Sequence, residues 1–278
     1  MSLSRTGELV AAARDAGSGV GAFNVITVEH AEGITAGAEL AGAPAILQIS
    51  QNAVRYHEGH VEPLAAACAR LAETAGVPIA LHLDHVDDLG LLHRAADAGF
   101  SSAMYDASHL DYADNLAATR SAAAWAHDNG LWLEAELGEV GGKDGVHSPT
   151  ARTKPAEAAA YVSGTGVDAL AVAVGSSHAM TTKSARLDID LIGEIRAATP
   201  VPLVLHGSSG VLDDDLRQAV AAGLTKINVG TQLNVAFTAA VRQALADPAL
   251  TDPRKYLRPA RDAVARTIAD ILRTISLR

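Results

Sequence analysis

Cysteine is nearly missing: Cys68 is the single one among 278 residues. No disulfide can form within the chain, and a cytoplasmic protein is the natural expectation. Positive charge is also short. Lys and Arg number 22 against 32 Asp and Glu, a formal net charge of -10 at pH 7. A phosphate backbone needs a basic patch, and none is visible, so no nucleic-acid partner is expected. A small phosphorylated substrate needs only a local site and stays open. Long apolar runs are missing too. No stretch approaches the ~18 uninterrupted apolar residues of a membrane span. Residues 1–30 lack the basic start and apolar centre of a signal peptide. Neither a membrane partner nor a cleaved leader is therefore expected.

What the chain has is a sizeable apolar fraction, 49% of its residues, and a repeat of pattern. A helical run ends in Gly or Pro, and an apolar strand follows within a residue or two. The strands read as Val20–Val25, Pro44–Ser50, Pro78–His85, Ser101–Asp106, Leu131–Gly138, Asp168–Gly175, Pro202–Ser209 and Lys226–Gly230. Gly after a helix closes its last carbonyls in the left-handed conformation, and Pro forbids continuation. Cys68 falls in the helical run Val61–Glu73 and reads as core packing. Eight short apolar strands alternating with helices predict an α/β fold, a (β/α)8 TIM barrel, as one domain over 1–278. The run from Pro253 to Leu277 reads as one or two extra C-terminal helices.

Barrel enzymes keep their chemistry where the strands end. Here those ends carry Asn24; Gln48 and Ser50; Asp84 and His85; Asp106; Glu134 and Glu136; His178; His206 to Gly210; and Asn228 to Thr231. In the third strand His82 and Asp84 share a face, and simple alternation turns His85 the other way. Taken alone, that stretch is equally well a buried His–Asp pair that only holds structure. Likewise, His85, His178 or His206 alone is more readily a satisfied strand-end histidine. Three imidazoles on one rim point to a metal with an open position. The remaining histidines fall in helices or loops and read as structural or exposed. Gly207, Ser208, Ser209 and Gly210 after strand seven, with Asn228, Val229, Gly230 and Thr231 after strand eight, sit where this barrel class binds phosphate.

These segments carry a resemblance. Gly21–Asn24, Leu83–His85, Met104–Leu110, Glu134–Gly138 with Gly141 and Gly142, Leu170–Gly175, Pro202–Gly210, Lys226–Val229 and Asp252–Leu257 run through nearly the whole chain. Together they resemble the class II, zinc-dependent ketose-bisphosphate aldolases, in the subgroup of tagatose- and fructose-bisphosphate aldolases. The resemblance implies a catalytic Zn2+ on His85, His178 and His206, with Asp106 and Glu136 as an alternative or second metal position. It implies Asp84 as acid/base. It places Gly207 to Ser209 and Asn228 to Thr231 at the phosphate and carbonyl end of dihydroxyacetone phosphate, Ser50 and Arg254 at the distal phosphate, and Asn24 and Ala179 among the substrate-binding residues. A monovalent cation, Na+ or K+, near the phosphate, and a homodimer or homotetramer, are further implications.

Two departures stand out. Ala179 follows the second metal histidine where the family usually has Gly, and its methyl group bears on the approach to substrate. The loop after Gly142 lacks the family's proton-abstracting Glu, leaving Asp144 or Glu139 for that role. Alternatives remain a metal-dependent sugar-phosphate epimerase or isomerase, a non-catalytic relative, and an aldolase acting on a deoxy-keto-sugar-acid phosphate. Lys226 on strand eight also leaves a Schiff-base route open, which the histidines disfavour.

Overall fold

A computed structural model of the protein describes residues 3–137, 152–176 and 181–277. Eight parallel strands close into a barrel in sequence order, β1-β2-β3-β4-β5-β6-β7-β8. They are β1 Val20–Asn24, β2 Ala45–Ser50, β3 Ile79–Val86, β4 Ser102–Tyr105, β5 Trp132–Glu136, β6 Ala169–Ala171, β7 Leu203–Leu205 and β8 Leu224–Val229. Each expected strand is present. β6 and β7 are shorter than the apolar runs suggested, because those runs continue past the ladder as connecting segments.

The helices are α1 Thr6–Asp15, α2 Val28–Ala41, α3 Gln51–Tyr56, α4 Glu62–Thr74, α5 Leu89–Asp97 and α6 Tyr112–Asp128. They continue with α7 Pro155–Thr165, α8 Ile189–Ala198, α9 Asp213–Ala222, α10 Thr231–Ala244 and α11 Pro253–Ile275. The C-terminal extra is one helix, α11. Its tight seat on α2 depends on Gly37: a Cβ there would stand 2.5 Å from the Ala265 carbonyl oxygen and 2.6 Å from Ile268 Cβ.

The two barrel ends differ by construction. Leu9, Val10 and Ala13 of α1 pack with Val20, Ala22, Ile46 and Ala80 in one apolar cluster, so α1 plugs the end where the strands begin. Thr6 fixes the plug, its N–H donating to Ser101 Oγ at 2.9 Å. Outward-facing residues such as Phe23, Leu47, Leu81 and Leu133 join the helices in the main core. Toward the other end the buried strand residues become polar: Gln48, His82, Asp84, Glu134, Glu136, Lys226 and Asn228 are all buried. Buried polar groups are costly unless partnered, so that end is where the sequence departs from core-building.

Candidate active site

The polar residues open into a cavity of about 470 Å³ at the strand C-termini. Its walls include Asn24, Ser50, Asp84, His85, Asp106, Gly207, Ser209, Asn228, Gly230 and Thr231, all named from the sequence. Ser208 and Val229 are buried behind the wall, and the Ser208 hydroxyl donates to the Asn228 carbonyl oxygen. Glu139, Asp144, His178 and Ala179 lie outside the described residues. Arg254 is not brought to the cavity. It follows the cap Asp252 at the start of α11, pairs with that carboxylate at 2.9 Å, and lines a separate outer crevice with Glu29 and Glu32.

Alternation alone would separate Asp84 from His85. The structure corrects this: His85 has a left-handed backbone, φ 49°, and the β3–β4 register shifts between Leu83 and Val86. A bulge inserts one residue and re-aims a side chain. Such a backbone costs about 1–3 kcal/mol in a non-glycine residue and persists only where other contacts hold it. One such contact is His85 Nδ1 to Asp106 Oδ2 at 2.8 Å.

The resulting geometry fits a metal. His206 Nδ1 and His85 Nε2 face each other at 3.0 Å. Their outer nitrogens already have carboxylate partners, Glu134 Oε1 at 2.9 Å for His206 and Asp106 for His85. When each outer nitrogen carries the proton, both inner lone pairs point at one place, which a metal ion, or a proton shared between the two nitrogens, satisfies. Asp84, His85 and His206 offer ligand atoms all within 4.8 Å of one another, and so do His85, Asp106 and Glu136. Imidazole with carboxylate suits a first-row divalent ion.

Electrostatics point the same way. Burial pushes the Glu136 carboxyl up to about 8, with Asp106 adding to the rise. Burial likewise raises Asp84, against the pull of His85 and Lys226. His85 is raised to about 10: burial opposes its charge, but Asp84, Asp106 and Glu136 outweigh it. Burial, and next Lys226, hold the His82 imidazole well below its ordinary range. It is not bonded to Asp84, whose Oδ1 is 3.8 Å away; its Nδ1 bonds Ser102 Oγ at 2.8 Å.

Two residues gain importance beyond their sequence signal. Glu134 bridges His206 and the buried Lys226, whose Nζ lies 2.8 Å from Glu134 Oε2 and 2.8 Å from Asn228 Oδ1. Glu134 stands among the strand-end residues and Lys226 opens the eighth apolar run, but nothing local in the sequence pairs strand five with strand eight. This engagement also disfavours Lys226 as a Schiff-base amine.

The phosphate side is built from two turns. Gly207, with φ 68°, starts the short 3-10 turn Ser208–Gly210. Ser209 Oγ accepts the Gln232 N–H at 3.1 Å, tying that turn to the first turn of α10. Gly230 precedes α10, and a Cβ there would come within 3.1 Å of Asn24 Nδ2. The N-terminus of a 14-residue helix therefore opens on the cavity with its dipole favouring an anion.

The sequence profile of the family described as "Fructose-bisphosphate aldolase class-II" matches residues 4–277. The chain belongs to that family. It is thus an aldolase, a carbon–carbon lyase of a metal-dependent class. A fructose-bisphosphate aldolase of Staphylococcus aureus (strain COL) is 37% identical over 265 residues, covering 94% of this chain and 93% of the relative. One from Geobacillus stearothermophilus is 39% identical over 258 residues, covering 91% and 90%. The crystal structure of the YdjI aldolase from Escherichia coli K12 superposes with a TM-score of 0.87 at 30% identity, covering 98% and 97%.

Proposed function

We propose that this aldolase carries out the zinc-dependent, reversible cleavage of a ketose 1,6-bisphosphate, fructose or tagatose, to dihydroxyacetone phosphate and glyceraldehyde 3-phosphate. The carrying observation is the pair of inner imidazole nitrogens, 3.0 Å apart beside Asp84, in one cavity with the phosphate cradle. The relatives named as fructose-bisphosphate aldolases support the choice of substrate.

His85 and His206 would hold the ion with His178, and Asp106 and Glu136 offer it a second position. When bound, a divalent ion supplies Lewis-acid polarisation of the substrate ketone. The rest is the work of the chain. The start of α10 with Gly207 and Ser209 holds the near phosphate, Ser208 and Val229 shaping that wall from behind. Asn24 and Asn228 orient the adjoining carbons. Asp84 takes the proton from the C4 hydroxyl in cleavage and returns it to the aldehyde oxygen in condensation. Its raised pKa suits a group that must hold that proton between steps. Asp144 or Glu139 would move the carbon-bound proton of the dihydroxyacetone half. Ser50 serves the distal phosphate; Arg254, on the outside of the barrel, does not reach the cavity of its own chain.

A cytoplasmic homodimer or homotetramer, with Na+ or K+ near the phosphate, completes the proposal; buried, free Cys68 is in keeping with that compartment. Light scattering checks the assembly. The decisive assay incubates the protein with fructose and tagatose 1,6-bisphosphates and follows triose phosphate. Release from either is the expected result. Interconversion of the two without triose phosphate would establish an epimerase instead, and no change in either would leave a binding protein.

A further inference from the structure

We propose that Lys226 is a positioning residue for the proton transfer on the dihydroxyacetone half: its buried ammonium orients the side-chain amides of Asn228 and, through Gln48, of Asn24, so that both turn N–H donors toward the substrate. The inference rests on the aldolase reading above.

Lys226 and Asn228 stand two residues apart on β8 and share its inward face. Asn24 and Gln48 are direct partners across the β1–β2 ladder. Lys226 is wholly buried, while Asn24, Gln48 and Asn228 line the cavity. A carboxamide carries donors at one corner and an acceptor at the other, and turning it over hardly changes its shape. A partner that only donates, or only accepts, removes that freedom.

Lys226 is such a partner. An ammonium has three N–H donors and no acceptor. Its Nζ lies 2.8 Å from Glu134 Oε2, 2.8 Å from Asn228 Oδ1 and, in the longest of the three contacts, 3.5 Å from Gln48 Oε1. The direction passes on from there. With Oδ1 held by Lys226, Asn228 presents Nδ2, which stands 3.4 Å from Asp84 Oδ1. With Oε1 drawn toward Lys226, Gln48 presents Nε2, which donates to Asn24 Oδ1 at 2.6 Å. Asn24 then presents Nδ2, the corner that stands beside Gly230 at the head of α10.

The ammonium works against a local alternative. Asn228 Nδ2 also lies 3.2 Å from His206 Nε2. When that nitrogen carries the proton it gives to Glu134, two donors face each other there. A turned-over amide, with Oδ1 toward His206, would make the better neighbour. Lys226 holds the other orientation. The consequence is chemical. As the carbon-bound proton leaves, negative charge grows on the oxygens of the dihydroxyacetone half. Donors fixed in advance stabilise that charge, and amide oxygens in their place would repel it.

The test follows exchange of the dihydroxyacetone phosphate C–H with solvent deuterium, on zinc-saturated protein, in two double-mutant cycles. Gln48→Glu keeps the shape but cannot donate, so Asn24 must turn its NH2 group inward. The limiting exchange rate should fall about 10–100-fold while the half-saturating substrate concentration moves less than about 3-fold, because the donor acts on charge that develops only in the step. In an Asn24→Ala background the same change should cost less than about 3-fold. An added buried charge or a disturbed core would cost the same in both backgrounds. Lys226→Met should likewise cost about 10-fold less in an Asn228→Ala background than in the wild type. If Lys226→Met does not fold, the Gln48 cycle decides alone. No loss in Gln48→Glu, or equal losses with and without the asparagine in either cycle, would overturn the inference while leaving the aldolase reading intact. A wild type that neither exchanges the proton nor cleaves a ketose bisphosphate would overturn both.

Discussion

Two histidine–carboxylate pairs of equal length stand at opposite ends of the barrel. At the end where the strands begin, His127 Nε2 lies 2.9 Å from Asp168 Oδ2, with the side chains 44% and 30% exposed. At the cavity end, His206 Nε2 lies 2.9 Å from Glu134 Oε1, with 7% and 0% exposed. The outer pair also caps a strand, since Asp168 accepts the Leu133 N–H at 2.7 Å, and water screens what charge is left. The inner pair is dry. Asp84, Glu134, Glu136 and Asp106 share its surroundings with one buried lysine, Lys226. Distance does not separate the two pairs; burial with too few cations does. That imbalance is what a metal or a proton would correct, and it marks functional sites more reliably than a His–Asp contact.

The comparison breaks first at Asp84. Asp84→Asn keeps shape and hydrogen bonding but cannot cycle a proton. Bisphosphate cleavage should fall by about 10²–10⁴, while zinc content and solvent exchange of the dihydroxyacetone phosphate C–H remain. Joint loss of zinc and exchange would reassign Asp84 to holding the metal site. Next comes Glu134. Glu134→Ala should weaken zinc binding about 10–100-fold, read by competition with a chelating dye, because His206 loses the partner that fixes its tautomer. It also strands Lys226, so a stability loss of about 3–5 kcal/mol should accompany it in urea melts. At the opposite end, His127→Ala should change stability by no more than about 1 kcal/mol and leave cleavage alone. A large loss of activity there would erase the distinction between the two ends. The smallest effect concerns Cys68, whose thiol burial pushes up to about 12. A thiol reagent at pH 8 should label it only after unfolding; rapid labelling of the native protein would show that the core around α4 opens.

The barrel was legible because its signals are local. Gly42 and Gly166 end α2 and α7 with φ of 61° and 75°, and short apolar runs follow each. The rim residues were legible because strand ends can be read from those same runs. Three things were not. His85 required a bulge, and periodicity carries no record of one extra residue. The link from Glu134 to Lys226 arises from barrel closure, which brings together strands about 90 residues apart. Arg254 sits in a segment that resembles the family's motif, yet where α11 packs is decided by close contacts such as Gly37 against Ala265.

On the proposed function the two facing imidazoles hold a metal that the reaction needs. Metal per chain by elemental analysis and triose phosphate release, measured on one sample, test it most directly. The sample is assayed as purified, after chelation, and after one equivalent of zinc. The expected result is one tightly held ion per chain, activity lost with it and regained on adding zinc, and neither ion nor activity in His206→Ala. Full cleavage by a sample verified to be metal-free would contradict the claim.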